Sequence, residues 1–131
     1  MNMKISELAK TTKLSSYTLR YYEQIGLLPR PHRSSSGHRI YDETTVAWLE
    51  FIGRLKSTDM PIKQIQLYAK LRQKGQSTEL ERQKLLVQHL AKVRLKRDDI
   101  ETSLTILNEK ISTYAKSIKQ KENSNAKPNP K

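Results

Sequence analysis

Residues 15–41, SSYTLRYYEQIGLLPRPHRSSSGHRIY, decide how this chain is read. Ser15 suits the N-cap of a second helix, roughly Ser16 to Ile25, since its hydroxyl can accept an otherwise orphaned backbone N–H. Gly26 suits a left-handed exit, and Pro29 and Pro31 forbid continuation. In such a helix positions 16, 17, 20, 21 and 24 share one broad face, here Ser16, Tyr17, Arg20, Tyr21 and Gln24. Leu19, Tyr22 and Ile25 lie nearer the opposite side, where they can pack on a preceding helix. After the flexible Ser34-Ser35-Ser36-Gly37, Arg39-Ile40-Tyr41 reads as a short strand, so a small hairpin or wing is expected.

A polar helix face followed by a basic loop is what a chain needs to lay one helix in a DNA major groove and grip the neighbouring backbone. Arg20 is the candidate base reader, because its fork can donate two hydrogen bonds to guanine O6 and N7. Tyr17 and Tyr21 can donate hydroxyls to phosphates or pack on sugars and thymine methyl groups. The loop carries Arg30, His32, Arg33, His38 and Arg39, with no acid between Arg30 and Asp42, and suits phosphate or minor-groove contact. Arg54 and Lys56 can extend the phosphate track. The bland alternatives are an Arg20–Glu23 surface pair and a merely solvated loop.

Outward from this stretch, Ser6 is expected to cap a short helix through about Thr12, with Ile5, Leu8 and Ala9 inward. Asp42 is expected to cap a third helix with apolar positions Val46, Leu49, Phe51, Ile52 and Leu55. Pro61 suits the first turn of a fourth, with Ile62, Ile65, Leu67 and Leu71 inward and Gly75 at its end. Thr78 and Glu81 form the T-x-x-E pattern of a capping box. Beyond them, steps of four and three select Leu86, Leu90, Val93, Arg97, Ile100, Leu104, Leu107, Ile111, Tyr114 and Ile118. About five heptads without Gly or Pro give a helix on the order of 60 Å long. Only Arg97 interrupts the apolar seam. So long a stripe exceeds what a small domain can cover, and a second copy of the chain is the expected recipient. Arg97 could set the register, pair with an acid across the seam or snorkel to solvent.

The 131 residues allow one compact domain plus an extension. The net charge of +12 biases the chain toward polyanionic partners, and the excess is shared between the residues up to Gly75 and those after it. There is no cysteine, which removes disulfides, thiolate metal sites and redox switches. No apolar run approaches the roughly 20 residues that span a bilayer, and no signal-peptide pattern opens the chain, so a cytoplasmic location without membrane contact is expected. No nucleophilic cysteine, glycine-rich phosphate loop or His-x-x-x-His pair points to catalysis, and Asp98, Asp99 and Glu101 look like solvated helix positions.

The phrases ISELAK, TLRYYEQIGLLPR, GHRIYDETTVAWLEFI and LKSTDMPIKQI, in this order, resemble the MerR family of transcription regulators, continuously from about Met3 to Leu71. That family shows the phrase T-[LI]-R-[YF]-Y-E-x-x-G-L, an R-Y wing and an apolar two-helix segment. The resemblance implies a mainly α fold: a winged helix-turn-helix, two linker helices and a long helix pairing two protomers as an antiparallel coiled coil. It matches Arg20 to a base-contacting arginine and Tyr21 and Tyr22 to an aromatic pair, the role of Tyr22 (packing or phosphate contact) staying open. It matches Arg33, His38, Arg39 and Tyr41 to the wing, His38 replacing a tyrosine common there. It also implies a dimer that sits between two promoter elements and bends and untwists an over-long spacer, so that RNA polymerase engages both.

Metal-sensing members use cysteines near the end of the long helix, and this chain has none; no metal or other cofactor is expected. FIGRLKSTDMPI is most like an aldehyde- and stress-associated branch, whose frequent reactive cysteine is replaced here by Arg54. A small-molecule effector could sit against Trp48, Phe51, Tyr68 and Leu71, or these could be ordinary core. The expected layout is a DNA-binding part over residues 1–75, a dimerisation helix over 78–120 and a disordered tail over 121–131. The rival readings are a nonspecific architectural DNA-binding protein and a coiled-coil adaptor.

Overall fold

A computed structural model describes residues 2–126. The elements run α1 (Ile5–Thr12), α2 (Ser16–Gln24), β1 (His32–Arg33), β2 (Arg39–Ile40), α3 (Glu43–Ser57), α4 (Ile62–Lys74) and α5 (Glu79–Ala126), with a 3-10 turn at Gln76–Thr78. The mainly α architecture with a short hairpin is the expected one. Two compact units divide between His89 and Leu90.

In the first unit, the start of α1 is set from far along the chain. Met3 and Tyr41 exchange backbone hydrogen bonds of 2.7 and 2.8 Å, which holds Met3 extended against the base of the hairpin. The Lys4 carbonyl then accepts from Glu7 and Leu8, so the helix begins at Ile5 and the expected cap, Ser6, lies inside its first turn. The caps expected at Ser15 and Asp42 form. Ser15 Oγ accepts the Thr18 N–H at 3.0 Å, and Asp42 Oδ1 accepts the Thr45 N–H at 3.2 Å.

The exit of α2 builds the core. Gly26, at φ +84°, reverses the chain, and the N–H groups of Leu27 and Leu28 both return to the Tyr22 carbonyl. Both leucines are thereby driven inward. Leu8, Leu19, Leu27, Ile52 and Ile65 are fully buried, contributed by α1, α2, this exit, α3 and α4 in turn. Helix α1 packs on both α2 and α3, and α3 packs on α4. The carbonyls released at the end of α2 are satisfied from the linker helices: the Trp48 indole N–H donates to Leu27 at 2.7 Å, and the Gln66 amide donates to Ile25 at 2.8 Å.

Three further expectations need correction. On α4, Ile62 and Leu67 are exposed, while Ile65, Ala69 and Leu71 are buried. Once Ile65 anchors the helix, residue 67 lies some 200° round the axis. Thr78 does not cap α5 in a box with Glu81. Its hydroxyl lies 2.6 Å from the Leu71 carbonyl and 2.8 Å from that of Gly75, and accepts from Arg82 Nε at 3.1 Å. The unpaired carbonyls ending α4 claim it first. Helix α5 continues to Ala126 rather than giving way at residue 121, Lys121 and Glu122 being good helix formers that carry it past that point; residues 127–131 of the expected tail lie outside the described residues.

Within the first unit, Leu86 packs partly against the core, and His89, also buried, meets Thr58 Oγ1 through Nε2 at 2.7 Å. In the second unit α5 buries almost nothing: Ile100, Leu104, Leu107, Ile111, Tyr114 and Ile118 are each more than half exposed in the single chain. Arg97, exposed, pairs with its neighbour Asp98 at 3.0 Å.

Ile52→Ala, at a fully buried position, is expected to lower stability by about 2–5 kcal/mol, and Ile52→Val by about 0.5–1.5 kcal/mol. Urea denaturation of the two variants checks the ratio; equal losses would mean that the site collapses without leaving a cavity.

Candidate nucleic-acid interface

The short α2 divides its side chains sharply. Tyr17 is 81% exposed, Tyr21 is 47% exposed, and Arg20 and Gln24 are also open, with Ser16 half-buried at the start of the same face. Leu19 and Tyr22 point the other way into the core. The burial of Tyr22 supports the packing alternative for this residue. Its hydroxyl accepts from Lys56 Nζ at 2.8 Å, and the same ammonium lies 5.1 Å from its ring centroid, so α3 places Lys56 beside α2.

The wing is minimal. In the antiparallel pair His32 faces Ile40 and Arg33 faces Arg39, closed by a Ser34–Gly37 turn in which Gly37 takes φ +84°. Ser34 accepts the His38 N–H on its side chain, and Arg33 Nη1 donates to the Gly37 carbonyl at 2.8 Å, stiffening the turn. Two residues per strand make a marginal hairpin, so its direction depends on what holds its base. One anchor is the Met3–Tyr41 backbone pair. The other is Glu23 on α2: Oε1 accepts from the Tyr41 hydroxyl at 2.9 Å, and Oε2 pairs with Arg39 Nε at 3.3 Å.

Tyr41 is consequently not an exposed wing residue: only 3% of it meets solvent, and its hydroxyl is taken. Burial, then the hydrogen bond and charge of Glu23, push its ionisation well above the ordinary phenol range, against the weaker pull of Arg39 and Arg20. Next to Tyr41 in the chain, the hydroxyl of Thr44 and the backbone N–H of Thr45 hold the Asp42 carboxyl below its usual range.

Between α2 and the wing runs a groove of about 630 Å³ lined by Arg20, Glu23, Gln24, Arg30, Pro31, Arg33 and Arg39. Arg20, Arg33 and Arg39 are thus brought together as expected. Arg30, read from the sequence as one of several loop cations, joins them. Glu23 and Gln24 complete the lining, and the role of Glu23 was missed because its partners lie 16 and 18 residues away. His38 is on another side of the wing, near Lys4 and Glu7. Arg54 lines a separate groove with Lys13 and Glu50, while Lys56 sits by Tyr22. The aromatic group suggested as an effector pocket is packed upon itself: Trp48 stacks on Tyr68 at 5.8 Å, Phe51 tilts against both, and Arg72 covers the indole at 4.3 Å. Among the described residues, no group of three or more His, Cys, Asp or Glu is placed to hold a metal ion.

This arrangement, the exposed Arg20–Tyr face of α2 beside the guanidinium groups of Arg30, Arg33 and Arg39, can bind a polyanion with ordered spacing along two elements. Residues 3–72 match the family described as MerR HTH family regulatory protein, and residues 46–110 the one described as MerR, DNA binding. The HTH-type transcriptional regulator YyaN of Bacillus subtilis is 36% identical over 128 residues, spanning 88% of this chain and 93% of that protein. The crystal structure of HiNmlR, a MerR family regulator lacking the sensor domain and bound to promoter DNA, superposes with a TM-score of 0.81 at 30% identity, covering 89% of this chain and 93% of its own. A MerR family transcriptional regulator from Bacillus thuringiensis gives 0.76 at 37% identity, over 87% of this chain and all of its own.

Tyr41→Phe removes a hydrogen bond to a charged group and is expected to cost about 1.5–3 kcal/mol. The sign of the pH effect follows from linkage. The folded state keeps the Tyr41 proton while an unfolded tyrosine releases it near pH 10, so this contribution is full below that pH and is lost as pH rises beyond it. Denaturant melts between pH 8 and 11 should show a steeper alkaline loss for the wild type than for Tyr41→Phe.

Proposed function

Because the chain belongs to the MerR family of helix-turn-helix regulatory proteins, we propose that it reads its DNA site through α2 and clamps the flanking backbone with the wing. It is a DNA-binding transcriptional regulator and not an enzyme. The observation that carries the finer reading is the arginine groove between α2 and β2, opening beside Arg20, Tyr17 and Tyr21. Arg20 is the base reader. Ser16, Tyr17, Tyr21, Arg33 and Arg39 contact sugar and phosphate, Lys56 extends that track, and Tyr22 and Tyr41 brace the two elements from behind. His38 and Arg54, lying off the groove, are peripheral phosphate contacts.

The functional unit is a homodimer. From Ile100 to Ile118 the seam leaves a row of apolar side chains more than half exposed among the described residues, and a second copy carries the complementary row. Leu86, partly buried within the first unit, marks the inner end of the seam. In this layout residues 1–75 bind DNA and the helix from residue 78 dimerises. The dimer spans a promoter dyad and remodels the spacer between elements that RNA polymerase must engage together. No described helix is long and apolar enough to cross a membrane; the cytoplasm, alongside promoter and polymerase, is where such a dimer works. No effector site is assigned, since the packed Trp48, Phe51 and Tyr68 supply the core reading and not a pocket.

A genomic pull-down followed by footprinting tests the whole reading. A protected dyad within an unusually long promoter spacer is expected; sequence-independent recovery would leave an architectural DNA-binding protein instead. On the recovered fragment, Arg20→Ala is expected to cost about 1–3 kcal/mol of specific binding, the worth of one bidentate base contact. Unchanged affinity in a titration would remove Arg20 from its role. Leu104→Glu, in mid-seam, is expected to shift the chain from dimer to monomer in sedimentation equilibrium; an unshifted mass would disprove the seam.

A further inference from the structure

We propose that Glu23 is a positioning residue, which fixes the wing against α2 and presents the Arg39 guanidinium to a DNA phosphate. This deepens the DNA-binding reading above and rests on it. An acid is the least expected side chain in a groove of four arginines facing a polyanion, so its presence calls for a function that outweighs its repulsion of phosphate. Its geometry supplies one. Each carboxylate oxygen holds a different partner on or next to β2, Tyr41 through the hydroxyl and Arg39 through Nε. The side chain of Glu23 is only 9% exposed, and that of Arg39 is 34% exposed.

Two consequences follow. A hairpin of two residues per strand depends on its anchors for direction, and of these Glu23 is the one that joins it to the helix carrying Arg20 and Tyr17, so that the spacing between base reader and backbone clamp is set before DNA arrives. The ion pair also uses Nε of Arg39 and thereby leaves the Nη nitrogens for a second acceptor. A guanidinium braced by a carboxylate at one edge and offered at the other loses little freedom on meeting a phosphate. Because the pair is already neutral, the negative charge of Glu23 adds little to the field that incoming DNA meets. Specific binding, which needs helix and wing in register, therefore depends on Glu23; nonspecific binding, which needs only positive charge, does not.

The test is Glu23→Gln in the full chain, a change that keeps an acceptor for Tyr41 and removes the charge that holds Arg39. Binding is titrated over a range of salt on two probes, the operator fragment recovered by the pull-down and a scrambled duplex of the same composition. Operator affinity is expected to fall about tenfold, the worth of one charge-assisted hydrogen bond, and the slope of log affinity against log salt to flatten by about one on the operator alone. Affinity for scrambled DNA should stay level or rise. In an Arg39→Ala background the same Glu23→Gln change should move operator affinity less than twofold, since the group that it positions is gone.

A parallel rise on both probes would mean that Glu23 merely repels phosphate. A parallel fall with a lowered melting temperature would mean that it merely supports the fold. Additive losses in the double variant would separate it from Arg39. Each of these overturns the proposal. A wild-type chain that itself fails to prefer its operator would instead sink the regulator reading, a result distinct from the other three.

Discussion

The first unit depends on a constraint at Gly26–Leu28: a helix that must stay exposed on one side ends in two leucines that must be buried. The left-handed turn at Gly26 makes the reversal without strain, and the Tyr22 carbonyl receives both returning N–H groups. Carbonyls at Ile25 and Leu27 that the end of α2 would otherwise leave orphaned are met by Gln66 and Trp48. The linker helices are thereby bolted to the exit of α2 and not to its exposed face. Recognition chemistry and core packing are separated along a helix of only nine residues.

The same division of labour explains the tyrosines. Three occur within α2, and the helical repeat alone assigns them: Tyr17 and Tyr21 share the open face, and Tyr22 falls inward. Tyr41 joins Tyr22 among the buried ones, and each spends its hydroxyl on a charged neighbour from another element, Glu23 for Tyr41 and Lys56 for Tyr22. A buried phenol with a charged partner fixes a distance more tightly than an aliphatic contact, because the hydrogen bond has a direction and leaving it unmade is costly. These two bonds lie directly behind the face and groove argued to meet DNA.

Much of this was legible in the residues. Ser15 and Asp42 announced two helix starts, Gly26 one end, and the apolar spacing of α3 and α5 their buried or exposed stripes. What could not be read was contact at long sequence distance. Ser6 was a sound cap by local rules, but Met3 pairing with Tyr41 decided where α1 begins. Thr78 matched a capping box, yet the open carbonyls of α4 were closer partners. Leu67 is apolar, but the phase that Ile65 sets for α4 turns it outward; Ile62 lies on the side of Ile65 and is exposed because it is the first residue of the helix. Arg20, Arg33 and Arg39 could be picked by charge and position, but nothing local distinguishes Glu23 from any surface acid. Residue type reports chemistry and short-range geometry; tertiary partners select among the options it leaves.

The exposed seam of α5 has a thermodynamic consequence. From Ile100 to Ile118 the apolar stripe is more than half exposed among the described residues and gains little tertiary packing, and isolated helices in water are marginal at best. On the dimer reading, the order of residues 90–126 is supplied by the second copy and so obeys mass action. The amount of regulator in the cell then sets both how much operator is occupied and how much of each chain is folded. Low abundance leaves a partly melted helix open to proteolysis, and synthesis above the dimer threshold protects what it makes. Chain turnover and dimer concentration become one variable, so a change in expression acts on persistence as well as on number.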